Sequence, residues 1–232
     1  MVSDKGIYRP FLNSIYITTV GTLVALTFNA MGAYTLSKRD LPGNRIFIYM
    51  IVITMMFSGG LVPLYLVVKA VGLIDKINGL ILMSFVNGWN MILIRNYYWS
   101  IPSSLPESAR MDGANEFIIF SRIIIPLSKP VLAAIALFTG VGYWNMFFHA
   151  VIFINSPEKY TFPVKLNEMI VVKREMVHQF EQMAGGAMDT QNLNIEGVSS
   201  AIIILSMIPV IIVYPYLQKY FARGILIGSI KG

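Results

Sequence analysis

Residues 104–130 read SLPESARMDGANEFIIFSRIIIPLSKP, a short polar interruption in an otherwise very apolar chain. The stretch predicts a short helix, a glycine turn and a second short helix that runs directly into a hydrophobic segment. Ser104 and Glu107 have the spacing of a capping box, in which each side chain satisfies a free backbone N–H at a helix start. Pro106 is tolerated there because first-turn amides lack an intrahelical acceptor. Gly113, following Asp112, can take the left-handed conformation that ends a helix, and Asn115 opens the next one. Helical spacing puts Leu105, Ser108, Ala109 and Asp112 on one side and Glu107, Arg110 and Met111 on the other. Small residues on one face suit a helix lying in a groove on a partner. The same features also suit a solvated loop joining two membrane helices.

Working outward, composition sets the class. Hydrophobic residues make up 56% of the 232 and charged ones 13%, with a mean hydropathy of +0.64. A soluble domain of this size would lack the polar surface to cover itself, so the chain reads as an all-α, polytopic membrane bundle. Runs free of Asp, Glu, Lys and Arg, the third of them ending at Ile94 just before Arg95, predict membrane helices over 11–37, 46–68, 77–95, 130–155 and 198–218, judged against a hydrocarbon core of about 30 Å and about 20 residues per crossing. The third is the shortest. Gly21, Gly32, Gly59, Gly60, Gly88, Gly140 and Gly142 fall inside these runs, where close helix packing is the default reason for a small residue.

Basic residues gather at Lys38, Arg39 and Arg45, at Arg95, Arg110, Arg122 and Lys129, and at Lys219, Arg223 and Lys231. By the positive-inside rule these three regions lie in the cytoplasm, together with the C-terminus. The stretch 101–128 is then a cytoplasmic loop and 156–197 an external one. The net charge of +6 reflects this topology and membrane lipid, not nucleic acid, since no continuous basic patch interleaved with aromatics occurs. A base-poor external N-terminal tail is awkward to insert, so a further membrane helix upstream of Met1 is expected. Cysteine is absent, which removes disulfides, thiolate metal sites and cysteine nucleophiles.

Glu107-Ser108-Ala109, then Asp112-Gly113-Ala114, then Ile123 with Pro126-Leu127 resembles the cytoplasmic "EAA" loop of ATP-binding-cassette importer permeases. Ser108 stands in place of the second alanine, and Ile125 where leucine is usual. Gly59-Gly60-Leu61-Val62-Pro63, Gly142-Tyr143-Trp144-Asn145 and the tail from Gly224 to Gly232 are similar to MalG-like carbohydrate-uptake permeases, a type I (MetI-like) fold. The resemblance spans nearly the whole chain. It implies a bacterial cell-membrane complex of two homologous permease chains, two ATPase subunits that bind ATP and Mg, and an extracytoplasmic solute-binding protein. It further implies that the loop helix docks in a cleft of the ATPase, so that nucleotide-driven closure turns the cavity outward, which requires ATP to favour one global arrangement over another. The coupling residues it assigns are Glu107, Ser108, Ala109, Asp112, Gly113 and Ala114, with the tail from Arg223 to Gly232 either a second contact or a frayed cytoplasmic end.

For the substrate path, Asn90, Tyr143, Trp144 and Asn145 are the candidates, because sugars stack on aromatic faces and hydrogen-bond to amides. Asn29, Trp89 and His149 are also at membrane depth. The structural alternative is that the amides bond between helices and the aromatics anchor at the interface. His178 has no second ligand at metal spacing, so no metal site is expected. No G-x-x-x-x-G-K-[ST], G-x-S-x-G or H-E-x-x-H motif occurs, so the chain is read as non-catalytic and without a cofactor of its own, with ATP hydrolysed elsewhere. The alternative is an ion-coupled secondary transporter or another multi-pass channel-like protein; an ion-coupled transporter would place charges within its helices, and the charge-free runs contain none.

Overall fold

The computed structural model describes residues 5–38 and 40–183, together with the single positions 204, 207, 211 and 215. Among the described residues the only regular structure is helical. Helix α1 (Lys5–Ser37) is unbroken and, at 1.5 Å per residue, roughly 50 Å long. It lies along α9 (Lys129–Trp144) and α5 (Gly88–Trp99), with α4 (Ile77–Ser84) against its outer part. It is the one described helix long and apolar enough to cross a membrane alone.

The three predicted runs over 46–68, 77–95 and 130–155 are broken. The run over 46–68 is two helices, α2 (Asn44–Met56) and α3 (Leu61–Ala70), bent by 114°. Gly60 sits at the break with φ +82 and ψ 173, a region open essentially to glycine. A Cβ at Gly59 or Gly60 would meet nothing within 4 Å. Backbone freedom, not packing, explains Gly60, and neither explains Gly59. Packing does explain Gly21, Gly32 and Gly88, where a Cβ would stand 2.9 Å or less from Tyr143, Met91 and Ile51 respectively.

The run over 77–95 is α4 and α5, bent by 51°. Breaking a helix frees carbonyls and amides that must be satisfied away from water. Asn29 on α1, fully buried, does this. Its Nδ2 donates to the Phe85 carbonyl at 2.7 Å and its Oδ1 accepts from the Asn87 amide at 3.0 Å. Asn87 in turn caps α5 by accepting from the Asn90 amide at 3.0 Å.

The polar interruption holds α6 (Ser104–Met111) and α7 (Glu116–Ile119), followed by one π-turn over Phe120–Ile124 and α8 (Ile125–Leu127). The π-turn has a local cause. Pro126 cannot donate to the preceding turn, and widening the helix relieves its ring. A 79° bend then leads into α9. The run over 130–155 is interrupted at Asn145 and resumes as α10 (Phe148–Phe153).

The external loop expected over 156–197 contains a 3-10 turn (Pro157–Lys159) and α11 (Phe162–Met183). Among the described side chains of α11, the buried ones are Phe162, Val164 and Leu166 at its start. Asn13 and Ser14 of α1 hold the approach to it: Asn13 Nδ2 donates to the Glu158 and Tyr160 carbonyls at 3.0 Å, and Ser14 Oγ accepts from the Phe162 amide at 2.8 Å. Beyond that first turn its charged residues give no apolar run to read from sequence. The predicted helix 198–218, apart from the four single positions, and the tail from Arg223 onward lie outside the described residues, as do Gly185, Gly186, Asn192 and the His178 side chain.

The buried side chains form two main clusters along α1. One joins Ile17, Ala25, Leu80, Tyr143 and Phe153. The other joins Ala33, Ile94, Tyr98, Ile119 and Ile135, and underlies the polar interruption.

Candidate functional site

The helix α6 is a surface element with no buried residue. The capping box does not form. Ser104 is already the first helical residue, Ser103 occupies the cap position in helical conformation, and no side chain caps the end. The chain enters the helix through backbone bonds instead, from Leu105 N–H to the Pro102 carbonyl and from Glu107 N–H to the Ser103 carbonyl. The predicted turn is present: Gly113 has φ +83, and Asn115 caps α7 by accepting from the Ile118 amide at 2.9 Å.

The face assignment from spacing needs correction. Pro106 and Ala109 are the half-covered positions of α6, whereas Leu105, Ser108 and Asp112 are exposed with Glu107 and Arg110. Ala109 and Ala114 pack inward on the cluster of Tyr98 and Ile119. Met111 is 88% exposed and Phe117 72%. Glu107 makes no side-chain hydrogen bond or ion pair among the described residues. The outer surface of the loop therefore combines apolar side chains, a carboxylate and a rigid turn.

Glu116, which spacing did not single out, organises the inner side. Its Oε1 accepts from Arg110 Nε at 3.1 Å, and its Oε2 accepts from the Tyr34 hydroxyl at 2.5 Å and from Lys38 Nζ at 2.7 Å. Partial desolvation alone would raise this carboxyl; the hydrogen bonds from Lys38, Tyr34 and Arg110 outweigh it and hold the group at about 2. The opposite charges of Arg110 and Glu116 on either side of the Gly113 turn were the available signal. The Tyr34 and Lys38 contacts, about eighty positions away, left none.

A second feature lies among α5, α9 and α10. An open cavity of about 650 Å³ is lined by Asn87, Trp89, Asn90, Thr139, Asn145 and His149, with Tyr143 and apolar residues completing the wall. Asn90 Nδ2 donates to Thr139 Oγ1 at 3.2 Å. Trp89 is 61% exposed. Tyr143 is largely covered, its hydroxyl donating to the Ile81 carbonyl at 3.1 Å. Trp144 is not at this cavity. It is buried among Phe11 and Phe162 at ring distances of 5.9 and 6.0 Å. Asn90, Tyr143 and Asn145 are thus brought together, and Trp144 is set apart.

The profile of the family described as "Binding-protein-dependent transport system inner membrane component" matches residues 17–227. The chain belongs to this family. It is a bacterial cell-membrane permease component, and the permease is 40% identical over 99% of its length to the "Polygalacturonan/rhamnogalacturonan transport system permease protein YtcP" of Bacillus subtilis, covering 79% of that protein. It is 30% identical to the "Arabinooligosaccharides transport system permease protein AraQ" of the same organism, over 97% of this permease and 74% of AraQ. Among solved structures it matches, with a TM-score of 0.81 and 39% identity, a chain of a "bacterial ABC transporter involved in the import of the acidic polysaccharide alginate", covering 95% of this permease and 77% of that chain.

Proposed function

We propose that this permease forms half of the translocation path of an ATP-driven carbohydrate importer and receives the ATPase stroke through α6. The observation that carries this is the character of α6: a helix with no buried residue, presenting Leu105, Glu107 and Met111 outward and closed by Gly113 at φ +83. A large exposed methionine on a polar loop is costly in water and suits an apolar cleft on a partner. Glu107 supplies a polar contact there, while Ala109 and Ala114 let the helix lie close on its own bundle. Asp112 and Gly113 set the angle at which it is presented, and Ser108 keeps its exposed side small.

In this reading two ATPase subunits bind ATP and Mg, a homologous permease closes the cavity, and a solute-binding protein delivers the cargo. ATP favours one arrangement of the ATPase pair, and because α6 is held in that pair the cavity changes the side it faces. The cavity wall of this chain offers side-chain amides, an indole face and one imidazole, groups that hydrogen-bond hydroxyls and stack on sugar rings. We assign Asn90 and Asn145 as direct contacts, with Tyr143 shaping the wall. Trp144 acts as packing in this reading, not as a ligand. Relatives named for polygalacturonan, rhamnogalacturonan and alginate make oligosaccharides of acidic polysaccharides the proposed cargo. Purification through a tag on this chain tests the assembly. A second permease and an ATPase should co-purify, and oligogalacturonate or oligoalginate with the cognate binding protein should raise ATP hydrolysis. A chain that moves solute without any ATPase overturns the reading.

A further inference from the structure

We propose that Glu116 is the positioning residue that couples α6 to the helical bundle, acting as a strut between the coupling helix and the end of α1; this rests on the docking reading above. No side chain of α6 is buried, so its grip on the bundle is thin: the edge contacts of Ala109 and Ala114 and the Gly113 turn. Glu116 adds a directional link. One carboxylate oxygen takes Arg110 of α6 and the other takes Tyr34 of α1 and Lys38 just past its end. The α1 side of the link is itself braced. Lys38 Nζ lies 5.0 Å from the Tyr34 ring centre, and Tyr34 packs on Phe120 with ring centres 5.1 Å apart.

The far side of the strut leads to the cavity. The last carbonyls of α1 are held from α5, by Arg95 Nε on the Leu36 carbonyl at 2.9 Å and Trp99 Nε1 on the Ser37 carbonyl at 2.8 Å. From there α1 runs along α5 and α9, the helices that carry Asn90 and Tyr143. A displacement of α6 pulls through Arg110 and Glu116 on the end of α1, and α1 moves the cavity walls. Without the carboxylate, α6 swings on the glycine turn and little of its movement is passed on. Asp40 and Glu107 line the same inner cavity as Lys38 and Arg110. Among the described residues neither makes a hydrogen bond or ion pair with these bases, Asp40 acting on Arg110 only through its charge; Glu116 is the carboxylate that bonds both.

The test uses the assembled complex, purified through a tag on this chain. A cysteine at Ser104, exposed at the start of α6, reports docking by crosslinking to the ATPase. A cysteine at Phe148, on the cavity wall, reports cavity opening by its labelling with a membrane-impermeant maleimide, with ATP plus vanadate as the probe. In the parent, trapping should change Phe148 labelling several-fold. In Glu116→Gln that change should shrink at least fivefold, with Ser104 crosslinking and ATP hydrolysis unchanged. Tyr34→Phe together with Lys38→Ala removes both donors of the α1 arm and should give the same loss, and adding Glu116→Gln to that pair should be no worse than Glu116→Gln alone. An undiminished labelling change in Glu116→Gln or in the Tyr34→Phe/Lys38→Ala variant overturns the strut, as does additivity when they are combined. Loss of the Ser104 crosslink in Glu116→Gln also overturns it, by making the residue a support for docking. A parent that never crosslinks at Ser104 takes down the docking reading itself.

Discussion

Substituting Gly113 isolates the turn that presents α6. The backbone there has φ +83, and a Cβ would meet nothing within 4 Å. A side chain therefore has room, and its whole cost is conformational. An L-residue in the left-handed region costs about 1–2 kcal/mol, less for Asn, whose side chain can bond locally. The balance between the native turn and its alternatives then shifts about five- to thirty-fold. Gly113→Ala should slow Ser104-to-ATPase crosslinking by up to that factor, Gly113→Val by more because β-branched residues are the least tolerant of positive φ, and Gly113→Asn by clearly less. Membrane levels, followed by immunoblot, should match the parent throughout. If Asn is as damaging as Ala, or if Ala crosslinks at the parent rate, the conformational reasoning is wrong.

Asn29→Leu should be among the most destabilising changes in the described bundle, since it leaves the Phe85 carbonyl and Asn87 amide unpaired at about 1–3 kcal/mol each; a lowered thermal midpoint in detergent checks it. Asp75 is a second acid under strong local control. It accepts from the Asn155 amide, from the Ser156 amide and hydroxyl, and from Lys159 Nζ, which, with the Lys159 bond the largest influence, hold its carboxyl well below the usual range. A depressed carboxylate stabilises the fold above its ordinary titration range and loses that effect as the medium acidifies. Asp75→Asn should lower the thermal midpoint by a constant amount from pH 8 to 5, and the difference should shrink below about pH 4; a difference that grows in acid would contradict the assignment. Gly21→Val would drive a side chain into the Tyr143 ring, 2.9 Å from a Cβ there, with an overpacking cost of about 1–3 kcal/mol. Trp89 fluorescence at the cavity should shift, whereas Gly142→Val, with nothing within 4 Å, should leave the midpoint unchanged.

The helical class and the glycine turn were legible because hydropathy and backbone chemistry act locally. The helix breaks were not. A run such as 46–68 has the composition of one crossing, and hydropathy counts residues without recording direction, so the 114° bend at Gly60 looked like packing. The partner that makes the 51° break tolerable, Asn29, is over fifty positions away from the groups it satisfies. In the cavity, Asn90 and Asn145 come from different helices, which no periodicity could connect. The pairing of Trp144 with Asn145 had a warning available. Successive residues on a helix point about 100° apart, so sequence neighbours do not share a face, and here one faces the cavity while the other packs on Phe11. Likewise Ser104 and Glu107 had the right spacing for a cap, but the helix started one residue too early for the serine to serve.

The central claim is that α6 lies on the cytoplasmic side and is held by the ATPase. Since the chain contains no cysteine, a single cysteine at Ser104 reports on α6 alone within this subunit. Impermeant maleimide should label it only in inside-out vesicles, and the addition of the ATPase subunits should protect it and allow crosslinking to them. Labelling from the outside of intact cells, or no protection by the ATPase, would contradict the account.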